Sequence, residues 1–387
     1  MTIIAAATAD ATRNGFDTAT DGIVINNPPT SGPNQVDGSV EVIISRQMPL
    51  FFTAAFFSLI GATTQQFKAT ARAVVNTSIV DEFCILGLDP TGAKSVEVTG
   101  NGTATLNCGV AVNSDADNAL SISGNATPIT TSVSTVGNID LVGGGTLNSE
   151  SPPERGAVIV DPLKDLVIPT FQGAGDPDPG DNEDIDDGCD KGTYGQGQSG
   201  GYTATTDLNA SDYGGTMVIC GGFTVAAGTT INLGPGIYII DQGDFEINAG
   251  ASITGSGVTI ILTSSGDDSK IGNFQVNGGA DITLSAPVDD PDDAPGYGGV
   301  LFYQDRNVSS GPTNNNLFTG GAELDLEGFL YFPSQDVSFK GGSEVGSRCT
   351  RLIGQKVTIT GNTNLATNCP TSEDAHVIGK LVASLGE

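Results

Sequence analysis

The chain has 387 residues, with 45 Asp and Glu against 15 Lys and Arg, for a formal net charge of -30. That charge repels phosphate backbones and anionic lipid head groups, which excludes nucleic acid and membrane surfaces as partners. With 38% apolar residues, 54 Gly and 19 Pro but no G-X-Y period, the chain is neither disordered, collagenous nor built of long helices; turn-rich, mainly β structure around a real core is left.

In chain order, an Ala-rich stretch over residues 2–16 closes on Arg13, Asn14 and Gly15, a good helix former with a Gly stop. Alternating segments at 22–28 and 39–47, separated by PPTSGPNQVDG, predict a hairpin. The apolar run within MPLFFTAAFFSLIGA, residues 48–62, falls short of the ~20 residues that span a bilayer and predicts a buried helix. FKATARAVVNTSI at 67–79 alternates again and predicts a strand returning beside the hairpin. Residues 1–80 therefore read as a small α+β N-terminal domain.

From residue 81 onward one pattern repeats: apolar residues alternate, a small turn such as GN or GG follows, and a second short strand comes after it. Copies include VEVTGNGTATL at 96–106, LSISGNATPIT at 120–130, FTVAAGTTINL at 223–233, FEINAGASITG at 245–255, FQVNGGADITL at 274–284 and VTITGNTNLAT at 357–367. A repeat of this length is one turn of a solenoid, alternation points every second side chain inward, and Gly and Asn supply the positive φ that corners need. The expectation is a parallel β-helix, right-handed as the commoner hand, over residues 81–387, with a Gly- and Asp-rich insertion at 172–216.

That insertion holds Asp176, Asp178, Asp181, Glu183, Asp184, Asp186, Asp187 and Asp190. Six to eight hard oxygens are what Ca²⁺ takes, so the first seven form a candidate calcium set; the competing reading is a solvated acidic loop, and no Glu completes an EF-hand. A second acidic turn contains Asp289, Asp290, Asp292 and Asp293 and reads as solvated surface. The cysteines Cys84, Cys108, Cys189, Cys220, Cys349 and Cys369 form no CxxC motif, and the single histidine, His376, is remote from them in sequence. Disulfides fit better than zinc. The simplest pairing is 84 with 108, 189 with 220 and 349 with 369, one of fifteen connectivities. In a sequential solenoid these pairs would staple its two ends and the inserted loop. Disulfides imply an oxidising, extracytoplasmic compartment. MTIIAAATADATRNGF has neither the basic n-region nor the apolar h-region of a signal peptide, so export implies a leader outside this sequence or an unconventional route.

Catalytic signals are sparse. No nucleophile elbow, phosphate loop or zinc helix occurs, and sugar platforms favour Trp, which is absent. The sharpest local candidate is Asp305–Arg306 in FYQDRN. Neighbours on a strand point to opposite faces, which suits an ion pair at a corner better than joint chemistry.

ADATRNGF at 9–16, VINNPPTSGP at 24–33, VEVIISRQMPLFF at 40–52, ATARAVV at 69–75, FCILGLDPTGAKSVEVTGNGTATLNCGVAVNS at 83–114, GPGIYIID at 234–241, GVLFYQDR at 299–306, GFLYFPSQ at 328–335 and CTRLIGQKVTITGNTNL at 349–365 together resemble TadG-like (TadE/G-like) proteins of the tight-adherence, or Flp, pilus system. The resemblance spans nearly the whole chain and rests on structural motifs. It implies a non-enzymatic component of the bacterial envelope or surface that supports pilus assembly or adhesion, with itself or other pilus and envelope proteins as partners. Such proteins start with a transmembrane helix, and residues 2–16 read as the distal end of that stem, the anchoring segment being missing here. The alternative is a β-helix carbohydrate-active enzyme or glycan binder.

Overall fold

A computed structural model describes residues 8, 11–17, 20–26, 28–30, 35, 39–49, 66–106, 108–171, 201–288, 296–308, 315–319, 321, 323–340, 344–345, 349–361, 364–365 and 378–386. The protein is mainly β with long parallel sheets and divides into two compact units, residues 1–80 with 380–387 and residues 81–379. Residues 380–387, expected in the β-helix region, thus belong with the N-terminal unit.

In the N-terminal unit Gly22–Asn26 pairs antiparallel with Ser39–Pro49, which pairs antiparallel with residues 66–76 of the strand Gln66–Gly87. The hairpin and returning strand are both present, and residues 11–13 are helical. Of the helix expected at 48–62, Met48 and Pro49 instead end a strand, where they pair with Phe67 and Gln66, and the rest lies outside the described residues. Glu41 is fully buried because Asn26 Nδ2 (2.7 Å), Thr30 N (3.1 Å) and Thr30 Oγ1 (3.1 Å) all donate to its Oε2. Asp21 is held by Arg46, whose Nε and Nη2 donate at 2.8 and 2.6 Å while its guanidinium lies over the Phe16 ring.

The Arg46 hydrogen bonds, then the Asp17 backbone N–H, hold the Asp21 carboxyl down at about 2. An unfolded Asp titrates near ~3.9. A folded value below the unfolded one gives stability that is complete above the unfolded value and fades as pH falls through the folded one. Thermal stability of wild type and Asp21→Asn, compared from pH 6 down to 2, should therefore differ most at the upper end and converge at the lower. A difference that persists unchanged at pH 2 would refute the assignment.

In residues 81–379 the strands run through three parallel sheets in rotation. Among the described residues sheet one is ten-stranded, in the order Ile139–Leu141, Leu120–Ile122, Val96–Thr99, Val357–Thr360, Asp336–Lys340, Asn315–Thr319, Ile271–Val276, Gly243–Ile247, Phe223–Val225, Tyr202–Ala204. Sheets two and three follow the same order: Asn364–Leu365 lies beside Thr103–Leu106 in sheet two, and Thr350–Gly354 beside residues 85–87 in sheet three. Chain order and stacking order therefore differ. The chain starts in mid-stack at residue 83, proceeds to one end at residue 155, resumes at the opposite end at residue 202, and returns to mid-stack at residue 365. Residues 201–216, expected within the insertion, instead supply the terminal circuit, with Tyr202–Ala204 paired to Phe223–Val225 and Thr216–Cys220 paired to residues 237–241.

The core between the sheets forms because inward positions stack in register. Tyr202, Phe223, Phe245 and Phe274 occupy one column of sheet one. Phe223 and Phe245 stack at 5.1 Å, Phe274 and Phe302 at 4.5 Å, and Phe318 and Phe339 at 4.6 Å. Corners are set by backbone sterics. Gly100, Gly124 and Gly143 have φ of 111°, 74° and 73°, and a Cβ on Gly124 would meet the Gly100 carbonyl oxygen at 2.5 Å. Only glycine meets both demands.

Candidate functional site: a strapped groove on sheet three

Sheet three is apolar on its outer face as well, where Val218, Ile239, Ile261, Tyr303, Phe329, Tyr331 and Ile353 form a second buried cluster. Residues 157–171 lie over that face, with Ile159 and Leu163 buried in the cluster and Leu166, Ile168 and Phe171 packed against it. This strap has few strand partners, so side chains satisfy its backbone. Asn113 both donates to Ile159 O (2.9 Å) and accepts from Ile159 N (2.8 Å). Tyr303 Oη donates to Leu166 O (3.2 Å) and Tyr297 Oη to Val167 O (2.9 Å).

Arg306 is the central clamp. Its guanidinium donates to Lys164 O, to Leu163 O (2.9 Å) and to the hydroxyls of Tyr303 (3.3 Å) and Tyr331 (3.2 Å). Tyr331 Oη in turn donates to Asp161 Oδ2 (2.7 Å), whose other oxygen accepts from Leu163 N (2.9 Å). Burial pushes the phenols of Tyr297, Tyr303 and Tyr331 up from their ordinary value. They are therefore neutral donors over the physiological range and poor bases.

The ion pair expected between Asp305 and Arg306 is replaced by two separate roles. Asp305 is buried and accepts from Thr263 Oγ1 (2.7 Å) and Asn307 N (2.9 Å), fixing the turn, while Arg306 reaches the strap. Two circuits earlier, Asp241 accepts from Ser265 N (2.8 Å) and Oγ (2.9 Å), a related corner device. Beside the strap an open cavity of about 810 Å³ is lined by Lys164, Thr263, Ser265, Tyr303, Asp305 and Asn307 among others. Its hydroxyl, amide and ammonium groups can hydrogen-bond a polar ligand, but its one arginine is already engaged with carbonyls. In AVIVDPLKDLVIPTF the packed positions Ile159, Leu163, Leu166 and Ile168 have no constant spacing, so the segment shows apolar content but neither strand nor helix period and does not mark itself as a cover.

Cys84 is bonded to Cys108. Cys220 and Cys349 are each disulfide-bonded, while Cys189 and Cys369 lie outside the described residues. Cys84 and Cys349 do not lie at the ends of the stack: the strands that carry or follow them, residues 83–87 and Thr350–Gly354, are neighbours in mid-stack. The candidate calcium residues Asp176, Asp178, Asp181, Glu183, Asp184, Asp186 and Asp187, the turn at Asp289–Asp293 and His376 all fall outside the described residues. Among the described residues no group of three or more His, Cys, Asp or Glu is arranged to hold a metal, and no helix is long and apolar enough to cross a membrane.

No protein-family model and no curated protein matches the chain. Among solved structures it is similar to the competence-associated pilin ComZ from Thermus thermophilus, at 12% identity and a TM-score of 0.22, with 95% of this chain and 83% of that one covered. Likeness at that level leaves fold and function to be argued from the chain's own residues.

Proposed function

We propose that the chain is a non-enzymatic structural component of the bacterial cell envelope or surface that works in assembly or adhesion of tight-adherence pili, with residues 81–379 acting as a rigid β-solenoid spacer. The observation that carries this reading is the use of the reactive-looking side chains. Arg306, Tyr303, Tyr331 and Asp161 spend their hydrogen bonds on the strap, and Asp305 and Asp241 on turns, so they support a scaffold rather than a substrate. The resemblance to TadG-like proteins and the disulfides, which require an oxidising compartment, point the same way. Partners on this reading are other envelope or pilus proteins or further copies of the chain. Deleting the gene should reduce surface attachment or piliation; normal pili with unchanged attachment would overturn the proposal.

A glycan-binding or carbohydrate-active protein is the second reading, favoured by the polar groove beside the strap. A panel of acidic and neutral polysaccharides, assayed for binding and for cleavage, separates the two. Saturable binding lost in Asn307→Ala would favour the second reading, and a negative panel would leave the first.

A further inference from the structure

The two ends of the three-sheet stack are finished differently. At the end that starts with Tyr202–Ala204, the inward residues of the terminal circuit are mostly covered: Ala204 and Ala210 are 0% exposed and Leu208 5%, and Tyr202 is partly buried against Phe223. Tyr238 ties that circuit down, its hydroxyl accepting from Ala210 N and lying 2.7 Å from Gly234 O. At the other end the core column Ile359, Val98, Ile122, Leu141 is in strict register from strand to strand. Its exposure runs 0%, 3% and 0% and then jumps to 52% at Leu141, and Val142 beside it is 47% exposed. An inward-pointing core position is thus open to solvent.

The backbone at that end is open too. Ile139–Leu141 is the last strand of sheet one among the described residues. Leu120 N donates to Asn138 O and Val142 N to Ile122 O. Groups on a strand alternate in direction, so the N–H and C=O of Ile139 and Leu141 point away from the stack. An edge with unpaired backbone next to an apolar surface is a template for an added strand.

Charge decides between occupants. Around this edge stand Asp115, Asp117, Asp140 and Glu150; of the basic residues there, Lys94 faces Asp140 but is already paired to Glu97, and Arg155 lies on the last strand. A second copy joined end to end would bring these carboxylates against themselves, and one joined head to tail would bring them against Asp207 and Asp212 of the other end, which like-charge repulsion disfavours. We infer that the open end formed by Ile139–Leu141 and Val142 receives an extended strand of a different protein, apolar on alternate residues and flanked by Lys or Arg. This deepens the structural reading, resting on it for a protein as partner.

The test is fluorescence anisotropy with the purified full chain and a labelled peptide of alternating Val and Thr carrying lysines at both ends, in low salt. Saturable binding is expected, at least tenfold weaker for the same peptide with glutamates in place of lysines, and at least tenfold weaker in Leu141→Asp. Leu141→Pro removes the outward N–H of the edge together with the leucine side chain, leaves the Val142 N–H that bonds Ile122 O in place, and should act likewise, whereas Asp207→Asn at the far end should not; thermal melting of each variant reports whether it is folded. Equal binding of both peptides, no binding of either, or equal binding by folded Leu141→Asp would overturn the inference. So would concentration-dependent self-association, seen in sedimentation and abolished by Leu141→Asp, because the occupant would then be a second copy. The assay is independent of attachment phenotypes, so it and the proposed function can fail separately.

Discussion

Replacing Phe274 by Ala should cost about 3–5 kcal/mol, the range for removing a fully buried Phe without collapse of the site. Phe274 has no exposed surface and touches three rings, Phe302 at 4.5 Å, Phe245 at 5.5 Å and Phe332 at 5.6 Å, with Phe223 one step beyond Phe245. Successive circuits are held 4.7–4.9 Å apart by their strand hydrogen bonds, as in any sheet. They cannot close on the void independently, so the cavity term should be near its upper value. Stability in a stacked architecture is a sum of circuit and nearest-neighbour terms, so the loss should be felt first by the circuits on either side. Chemical denaturation gives the global value and hydrogen exchange its location; amides of Gly243–Ile247 and Asn315–Thr319 should lose protection before those of Leu120–Ile122. Thr224→Ala, at the outward position next to Phe223, should stay within about 0.5 kcal/mol. Equal effects of the two substitutions would mean that the aromatic column is not the core of the stack.

Arg306→Ala should release the strap. The guanidinium makes charge-assisted hydrogen bonds to two strap carbonyls and two tyrosine hydroxyls, and bonds of that kind to charged groups are worth about 1.5–3 kcal/mol each when lost singly, less when water can replace them. We expect a loss of about 2–3 kcal/mol, faster hydrogen exchange and new proteolytic cleavage within residues 157–171, with the sheets still paired. Arg306→Lys should recover only part, since a single ammonium cannot span the fork of acceptors. Tyr331→Phe, which cuts the link to Asp161, should cost about 1 kcal/mol and loosen the same segment. If Asp305→Asn loosened the strap as much as Arg306→Ala, the two residues would be acting as a pair after all. Unchanged protection of residues 157–171 in Arg306→Ala would remove the clamp altogether.

The alternation in VEVTGNGTATL or FTVAAGTTINL was enough to read short strands, inward faces and Gly corners, because period-two burial and positive φ are local demands written into single residues. Parallel pairing followed from the repetition of one motif, since a solenoid turn can bury its apolar side only against a like neighbour. The hairpin of the N-terminal unit was legible for the same reason: its strands sit next to each other in sequence.

What the chain order could not reveal is which circuit stacks on which. Thr350–Gly354 pairs with residues 85–87, 267 positions away (Leu352 with Ile85), and any circuit with the same alternation offers that edge an equally good apolar register. The choice is made by the ends: residues 83–155 and 202–365 are two stacks that can bury one end apiece only by meeting, and residues 157–171 have to cross the outer face of sheet three for the second stack to start where it does. That crossing gives Arg306, Tyr303 and Tyr331 their partners and leaves Leu141, at the far end, without one from this chain's described residues. Local side-chain pattern therefore determined the strands and their faces, and only the tertiary structure decided their order, the covered groove and the open end, because those depend on which apolar surfaces remain to be buried once every strand has formed.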